Sequence, residues 1–191
     1  MSAGRQPRPF QGTVYSATMG ALMLTTRITY IACAIIFSMH AGACATPRAT
    51  ALWQTLTELN GSWRLIAAPT EGERAFRINF RAISKGSALV ETFGYPEKNV
   101  TQTVYHRNGA SIMATHYCAQ GNQPRLVLSP MATPGALSFT FFDITNLVNK
   151  SDSHLVRIDF KLIDRNHLER RETYLEKGVT EESILHLERV Q

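Results

Sequence analysis

The side chains best suited to chemistry in this chain are concentrated between Thr115 and Arg125, which hold an imidazole, a phenol, a thiol, amides and a guanidinium. His116 and Cys118 are two residues apart, so on a β-strand their side chains share one face. One hypothesis is that His116 activates Cys118 as a nucleophile, which would also require an orienting acid and an oxyanion pocket. Because no papain-like sequence surrounds Cys118, we favour the alternative that it is a packing residue beside a hydrogen-bonded histidine.

A metal site is the second chemistry that these residue types allow. His106, His116, Cys118 and Glu91 could converge across a hairpin, but the chain has no Cys-x-x-Cys or His-Glu-x-x-His spacing. We therefore expect no metal and no cofactor. Haem held by His116 is kept as an alternative, since one histidine is enough to ligate haem iron.

The turn from Gly121 to Arg125 allows two interpretations. It is either a binding rim, whose amides and guanidinium fix a polar ligand group such as a carboxylate, or a tight turn with Arg125 paired to Glu91 or Asp143 inside a barrel. Both interpretations make Arg125 important.

An Asn-Gly pair at Asn108 is a strong hairpin signal, because both residues accept positive φ. Such a hairpin would bring Tyr105 and His106 beside the strand of His116. We therefore predict that His116 and Arg125 contribute to one polar site at or inside the fold. The candidate ligand-binding residues are His116, Arg125, Asn122, Gln123, Tyr105, His106, Glu91 and Tyr117.

The elements that must position these residues are predicted to be strands. In the segment 155–163, apolar residues alternate with charged ones, the period of a strand with one buried face. About ten such segments follow one another with no βαβ pattern. We predict an all-β fold, an antiparallel up-and-down β-barrel of about ten strands with a short N-terminal helix from Pro47 to Asn60. Closure is favoured because half-polar strands would otherwise leave exposed edges.

Three other segments carry weaker signals. Pro69 to Gly72 predicts a turn, and the apolar residues of the connection 143–153 predict a turn of helix. The last strand is predicted from Ser183 to Val190. Glu169 to Glu172 is charged on both faces of its strand, which indicates a solvated edge or cross-strand ion pairs. An inward charge there would instead help to hold a ligand.

The first 45 residues have the layout of a leader, followed by a single domain over 46–191. A short polar region carries Arg27, an apolar run extends from Ile28 to Phe37, and small residues precede Thr46. We expect export to the periplasm or beyond the cell, with the mature chain beginning near Thr46. In the alternative, Cys44 is lipidated and anchors the protein to a membrane. Cleavage before Thr46 leaves Cys118 as the single thiol, which excludes an internal disulfide.

The net charge of +5 does not indicate a nucleic-acid-binding protein. Three of the 20 Lys and Arg residues are in the leader, and the remaining 17 face all 15 Asp and Glu residues, so the domain carries only +2. We expect no nucleic-acid partner, because such domains are strongly basic.

Gly61-Ser62-Trp63 after a short helix resembles the calycin superfamily, which includes lipocalins and fatty-acid-binding proteins. The resemblance implies that Trp63 lies under an arginine of the last strand, Arg189, or else under Arg171. More specifically, the segment 59–190, with Gly86 to Thr92 and the motif from Thr115 to Arg125, resembles a family of exported bacterial proteins of unknown function. That resemblance implies a fold and a compartment but no activity.

We expect the barrel to bind a small, partly apolar or amphipathic molecule. The second hypothesis is a cell-envelope protein that contacts another protein and whose barrel is filled by its own side chains. The third is an enzyme or a haem- or metal-binding barrel that uses His116. The first two differ in whether the barrel has a cavity, since a small barrel can be filled by its inward side chains. The filling residues would be Phe76, Phe80, Phe139, Phe141 and Phe160.

Overall fold

The structure, a computed structural model, describes residues 47–95 and 98–191, apart from the side chains of residues 98–100. The leader, its cleavage site and Cys44 lie outside the described residues. No helix within the described ranges is both long and apolar enough to cross a membrane.

Ten antiparallel strands close into a barrel, which confirms the predicted all-β fold. The strands pair in chain order, and β1 closes the barrel against β10. The elements are α1 (Pro47–Thr57), β1 (Gly61–Leu65), α2 (Glu71–Ala75), β2 (Arg77–Ile83), a 3₁₀ turn (Ser84–Gly86), β3 (Ala88–Tyr95), β4 (Lys98–Asn108), β5 (Ser111–Tyr117), β6 (Gln123–Leu128), β7 (Ala136–Thr145), β8 (His154–Leu162), β9 (His167–Glu176) and β10 (Val179–Arg189).

Three local predictions differ from the structure. The predicted turn continues into α2, because Thr70 and Glu73 form a reciprocal capping box at its start. The connection 143–153 contains no described helix, and β7 instead runs to Thr145. Its Val148 is 83% exposed, so the apolar spacing there buries no face. Strand β10 begins at Val179 rather than Ser183. Its first residues form a strand because they pair with β9, although β1 does not reach them.

Helix α1 covers one end of the barrel, which we call the closed end. Its apolar residues recur at helical spacing and are buried. The Trp53 ring lies 5.6 Å from the guanidinium of Arg107, at the end of β4. Behind the helix, the Asn60 side chain accepts a hydrogen bond of 3.0 Å from the amide of Ala82. The opposite end, which carries the turns β5–β6 and β9–β10, is the open end.

Aromatic rings fill the middle of the barrel. Phe80, Tyr105 and Phe139 are buried, and the rings meet edge to face: Tyr105 is 5.2 Å from Phe139, and Phe80 is 5.8 Å from Phe160. Phe141, which we expected among the filling residues, is instead 39% exposed toward the open end. Next to Phe141, the pairing of β6 with β7 shifts register at a bulge.

Trp63 and Arg189 join the closed end to the sheet. Trp63 is fully buried, and its indole donates a hydrogen bond of 2.8 Å to the carbonyl of Leu59. The Arg189 guanidinium lies 4.2 Å from the indole and donates to the carbonyls of Glu58 and Asn60 at 2.8 and 2.7 Å. These carbonyls follow α1, so the guanidinium supplies donors that the helix end lacks.

Gly61 makes this arrangement fit. Its φ is +130°, which residues with a side chain rarely adopt, and a Cβ there would lie 2.7 Å from Nη1 of Arg189. The backbone conformation therefore favours glycine in the Gly-Ser-Trp motif, and a larger residue would also displace the guanidinium of Arg189.

We predict that Trp63→Ala lowers the free energy of unfolding by about 3 to 5 kcal/mol, as truncation of a buried aromatic residue does. Denaturant unfolding measures the loss. Tyr117→Ala is a suitable control, because Tyr117 is 51% exposed and should cost less than about 1 kcal/mol. A loss as small in Trp63→Ala would contradict the role of the indole.

A candidate ligand-binding site at the open end of the barrel

Four side chains form a polar cluster inside the barrel: Glu91, Tyr105, Arg170 and Glu172. Arg170 donates from Nε to Glu91 at 2.7 Å and from Nη1 to Glu172 at 2.9 Å. The hydroxyl of Tyr105 donates to the other oxygen of Glu91 at 2.5 Å. Glu91, Tyr105 and Arg170 are almost fully buried, whereas the side chain of Glu172 is 12% exposed.

Strand alternation explains why these charges point inward. Along β9, Leu168 and Arg170 are buried, so Glu172 and Tyr174 share their face. Arg171 lies on the outer face, where its guanidinium is 3.2 Å from Glu182 on β10. The cross-strand ion pairs expected for this segment are therefore present on the outer face, and Arg170 and Glu172 place charges inside the barrel as well.

Burial and charge set the protonation of the cluster. Burial by itself would lower the pKa of Arg170, but the carboxylates of Glu91 and Glu172 raise it above its ordinary value. Burial raises the pKa of Glu91, although Arg170 and Tyr105 oppose the shift. Burial and the Glu91 charge raise the pKa of Tyr105 well above its usual range, so the phenol stays a neutral donor.

Two aromatic rings lie against the guanidinium of Arg170. The ring of Phe93 is 4.8 Å away and that of Phe160 is 6.0 Å away. Such contacts favour a cation where water is excluded. Phe93 thus lies between the polar cluster and the space nearer the open end.

His116 lies beside the cluster as a neutral imidazole. It is buried, with Nδ1 2.9 Å from the hydroxyl of Thr103 and Nε2 3.4 Å from that of Tyr174. Burial lowers the pKa of His116 to about 4; Glu172 opposes this shift and Arg170 adds to it. His116 can therefore exchange neutral hydrogen bonds at physiological pH. The described part of the chain contains no group of three or more His, Cys, Asp or Glu side chains that could hold a metal ion.

An apolar recess of about 770 Å³ opens above Phe93. It lies at the seam of the barrel, because β1 pairs with Leu187, Glu188 and Arg189 of β10, with one further hydrogen bond from Ile66 to His186, while β10 continues to Val179. The recess is lined by Leu65, Gly72, Phe76, Phe93, Gly94, Tyr95 and Leu185. A smaller recess of about 560 Å³, between α1 and strands β5 and β6, is at the closed end, away from the polar cluster.

Of the predicted site residues, the structure brings Glu91, Tyr105 and His116 into the interior. It does not bring Arg125 there, so the prediction that His116 and Arg125 share one polar site is wrong. Arg125 pairs with Thr115 across β5 and β6, which puts it on the outer face, opposite to His116. It forms an ion pair with Asp143, one of the two predicted partners, but outside the barrel.

The other predicted residues are also away from the cluster. The His106 ring contacts the carbonyl of Arg107 at 3.1 Å, Tyr117 is exposed, and the Gln123 side chain accepts from Thr145 at 3.0 Å. Asn122 is buried and donates to the carbonyl of Ser153 at 3.0 Å.

Cys118 lies one residue beyond β5, which ends at Tyr117, and it is near enough to Tyr174 to interact with it electrostatically. Its thiol donates to the Gln120 side chain at 3.0 Å in the following turn. Among the described residues, the hydrogen bond of this thiol is to an amide and not to His116, so the structure gives the nucleophile hypothesis no support.

Sequence reasoning missed Arg170, Glu172, Tyr174, Thr103 and Phe93 as site residues. The available signal was the period of two along 168–174, which aligns Arg170 with the apolar Leu168. A charged residue in phase with buried apolar neighbours indicates an inward charge that needs a partner. The partner on β3 is distant in sequence, and only the pairing of strands reveals it.

No protein-family model matches this chain, and no curated protein is significantly similar to it.

We predict that Arg170→Met lowers the free energy of unfolding by about 3 to 5 kcal/mol, because Glu91 then remains buried without its cation. Denaturant unfolding measures the loss. The double variant Arg170→Met, Glu91→Gln should recover part of it. The control Arg125→Met breaks an exposed ion pair and should leave stability nearly unchanged. Equal losses in the two single variants would contradict the assigned role of Arg170.

We also predict a pH dependence of stability that originates from His116. Its pKa is lowered from 6.5 to about 4 in the folded chain, so between these values the unfolded chain binds a proton that the folded chain does not. Stability is then complete above about pH 6.5 and falls as the pH is lowered toward 4. Over this range, the wild type should lose roughly 3 kcal/mol more than His116→Gln.

Urea unfolding at several pH values tests this, and the difference between the two chains cancels the contribution of Glu91. His186→Gln, which changes an exposed histidine, is the control and should follow the wild type. A His116→Gln curve parallel to that of the wild type would contradict the assignment.

Proposed function

We propose that this protein binds a small, partly apolar molecule at the open end of its barrel. The apolar part occupies the recess lined by Phe76, Phe93 and Leu185, and the polar part reaches the polar cluster. The observation that carries this proposal is the position of Phe93, which lines the recess and also contacts the buried Arg170 at 4.8 Å.

The size and composition of the recess support this function. Its volume of about 770 Å³ lies within the range of small-molecule sites, which are mainly apolar with a few placed polar groups. Leu65 and Phe76 supply apolar surface, and Glu172 and Tyr174 are partly buried residues on the inner face of β9, toward the open end.

A cell-envelope interaction protein with a filled barrel is the second candidate. The packed rings of Phe80, Tyr105, Phe139 and Phe160 favour it, because they leave the middle of the barrel to the chain's own side chains. The recess lies above these rings, so a filled middle is compatible with a ligand at the open end. The layout of the leader supports export for either function. The resemblance to a family of exported bacterial proteins supports it as well.

We predict that an uncharged apolar fluorophore, N-phenyl-1-naphthylamine, binds the protein at one site and gains fluorescence there. Leu185→Trp should weaken binding by at least about tenfold, because a larger side chain fills the recess. Fluorescence titration measures both affinities.

Ile184→Trp is the matched control, since Ile184 is the next residue on β10 and is 42% exposed on the outer face. It should bind as the wild type does, and thermal unfolding should show both variants folded. Unchanged binding in a folded Leu185→Trp protein, or no saturable binding by the wild type, would contradict the proposal.

A further inference from the structure

The polar cluster contains more negative than positive groups. Two carboxylates, Glu91 and Glu172, share the single guanidinium of Arg170. His116 adds no positive charge, because it is neutral at physiological pH. Burial raises the pKa of Glu91, but both of its oxygens accept hydrogen bonds, from Arg170 and Tyr105, which favours the ionised form. With both carboxylates ionised, the interior carries one uncompensated negative charge, which is costly where the effective dielectric constant is low.

Glu172 is the carboxylate that can accept a further partner. Its Oε2 receives Nη1 of Arg170, whereas its Oε1 accepts no hydrogen bond from the described residues. Both oxygens of Glu91 are used, one by Arg170 and one by Tyr105. Glu172 is also the most exposed member of the cluster, at 12%, and lies two residues nearer the open end than Arg170.

The strand pairing places Glu172 diagonally across from a residue that lines the apolar recess. Leu185, which lines the recess, is paired with Arg170 across β9 and β10, and Ser183 is paired with Glu172. Leu185 and Glu172 are therefore diagonal neighbours on one face, a separation that long side chains span. A molecule that lies against Leu185 in the recess is therefore one diagonal step across the sheet from Glu172.

A carboxylate-bearing ligand fits this arrangement poorly. Arg170 already donates to two glutamates, and a third carboxylate would meet the charges of Glu91 and Glu172. The anion that the sequence suggested for Arg125 therefore has no counterpart here, because Arg125 lies on the outer face.

From the unequal charge, the free oxygen of Glu172 and the adjoining recess, we infer that the ligand is a small amphipathic molecule with a protonated amine. The amine binds the carboxylate of Glu172, and the apolar part lies against Phe93 and Leu185. This inference rests on the proposed function and adds the chemical class of the ligand.

Three probes that share an alkyl chain and differ in head group test the inference. They are 1-octylamine, 1-octanol and octanoate, used at neutral pH and below their micelle concentrations. Each displaces N-phenyl-1-naphthylamine from the wild-type protein. We expect the amine to bind at least about tenfold more tightly than the alcohol, as a charged hydrogen bond would provide. Octanoate should bind most weakly.

Glu172→Gln should reduce the advantage of the amine over the alcohol to less than about twofold, while the affinity for the alcohol stays the same. Glu182→Gln is the matched control, since Glu182 is on β10 and pairs with Arg171 on the outer face. It should keep the full preference for the amine. Circular dichroism establishes that both variants fold.

The outcomes separate this inference from the proposed function. If the fluorophore binds the wild type but the amine binds no better than the alcohol, the inference is overturned and the recess function stands. The same conclusion follows if a folded Glu172→Gln protein keeps the preference. If neither the fluorophore nor any octyl probe binds, both proposals are overturned. The order of the affinities of the three octyl probes for the wild-type protein tests the inference even if Glu172→Gln does not fold.

Discussion

The interior of this barrel depends on the guanidinium of Arg170, which is held between the carboxylates of Glu91 and Glu172. Removing such charges from water costs several kcal/mol each, and the cost is offset only where pairing and hydrogen bonds are nearly complete. The phenol of Tyr105 and the rings of Phe93 and Phe160 contribute to that completeness. The ion pair of Arg170 and Glu91 also joins β9 to β3. These strands are far apart in both chain and sheet order, so the pair fixes opposite walls of the barrel relative to each other.

The two ends of the barrel differ in how completely their polar groups are paired. At the closed end, Trp63 is buried under Arg189, whose donors are used by the carbonyls that follow α1. The indole of Trp63 and the guanidinium of Arg189 both have hydrogen-bond partners within the chain, which suits a structural role. At the open end, β1 stops at Leu65 while β10 continues, and an apolar recess lies above a cluster in which one oxygen of Glu172 has no described partner. An apolar recess with a few polar groups near it has the composition of small-molecule sites, which supports the proposed function.

The candidate site was only partly predictable, and the reason is the geometry of strands. Glu91, Tyr105 and His116 were identified from residue type and the expected hairpin, and all three face inward. Arg125 was assigned to the wrong face because a turn can return a strand in either register, and a shift of one residue exchanges the faces. Arg170 was overlooked because charges at four consecutive positions hide the period of two, and its partner Glu91 is 79 residues away in sequence.

The sequence by itself determined the fold class, since alternation of apolar and polar residues, turn residues and the Gly61-Ser62-Trp63 motif are local properties of the chain. It also determined the composition of the interior, because a residue in phase with buried neighbours must face the same way. Only the tertiary structure decided which charges meet, and where the barrel is open. Both depend on the pairing between distant strands and on the unequal lengths of β1 and β10. Together these place Glu91, Arg170 and Glu172 inside the barrel, on the side of the recess.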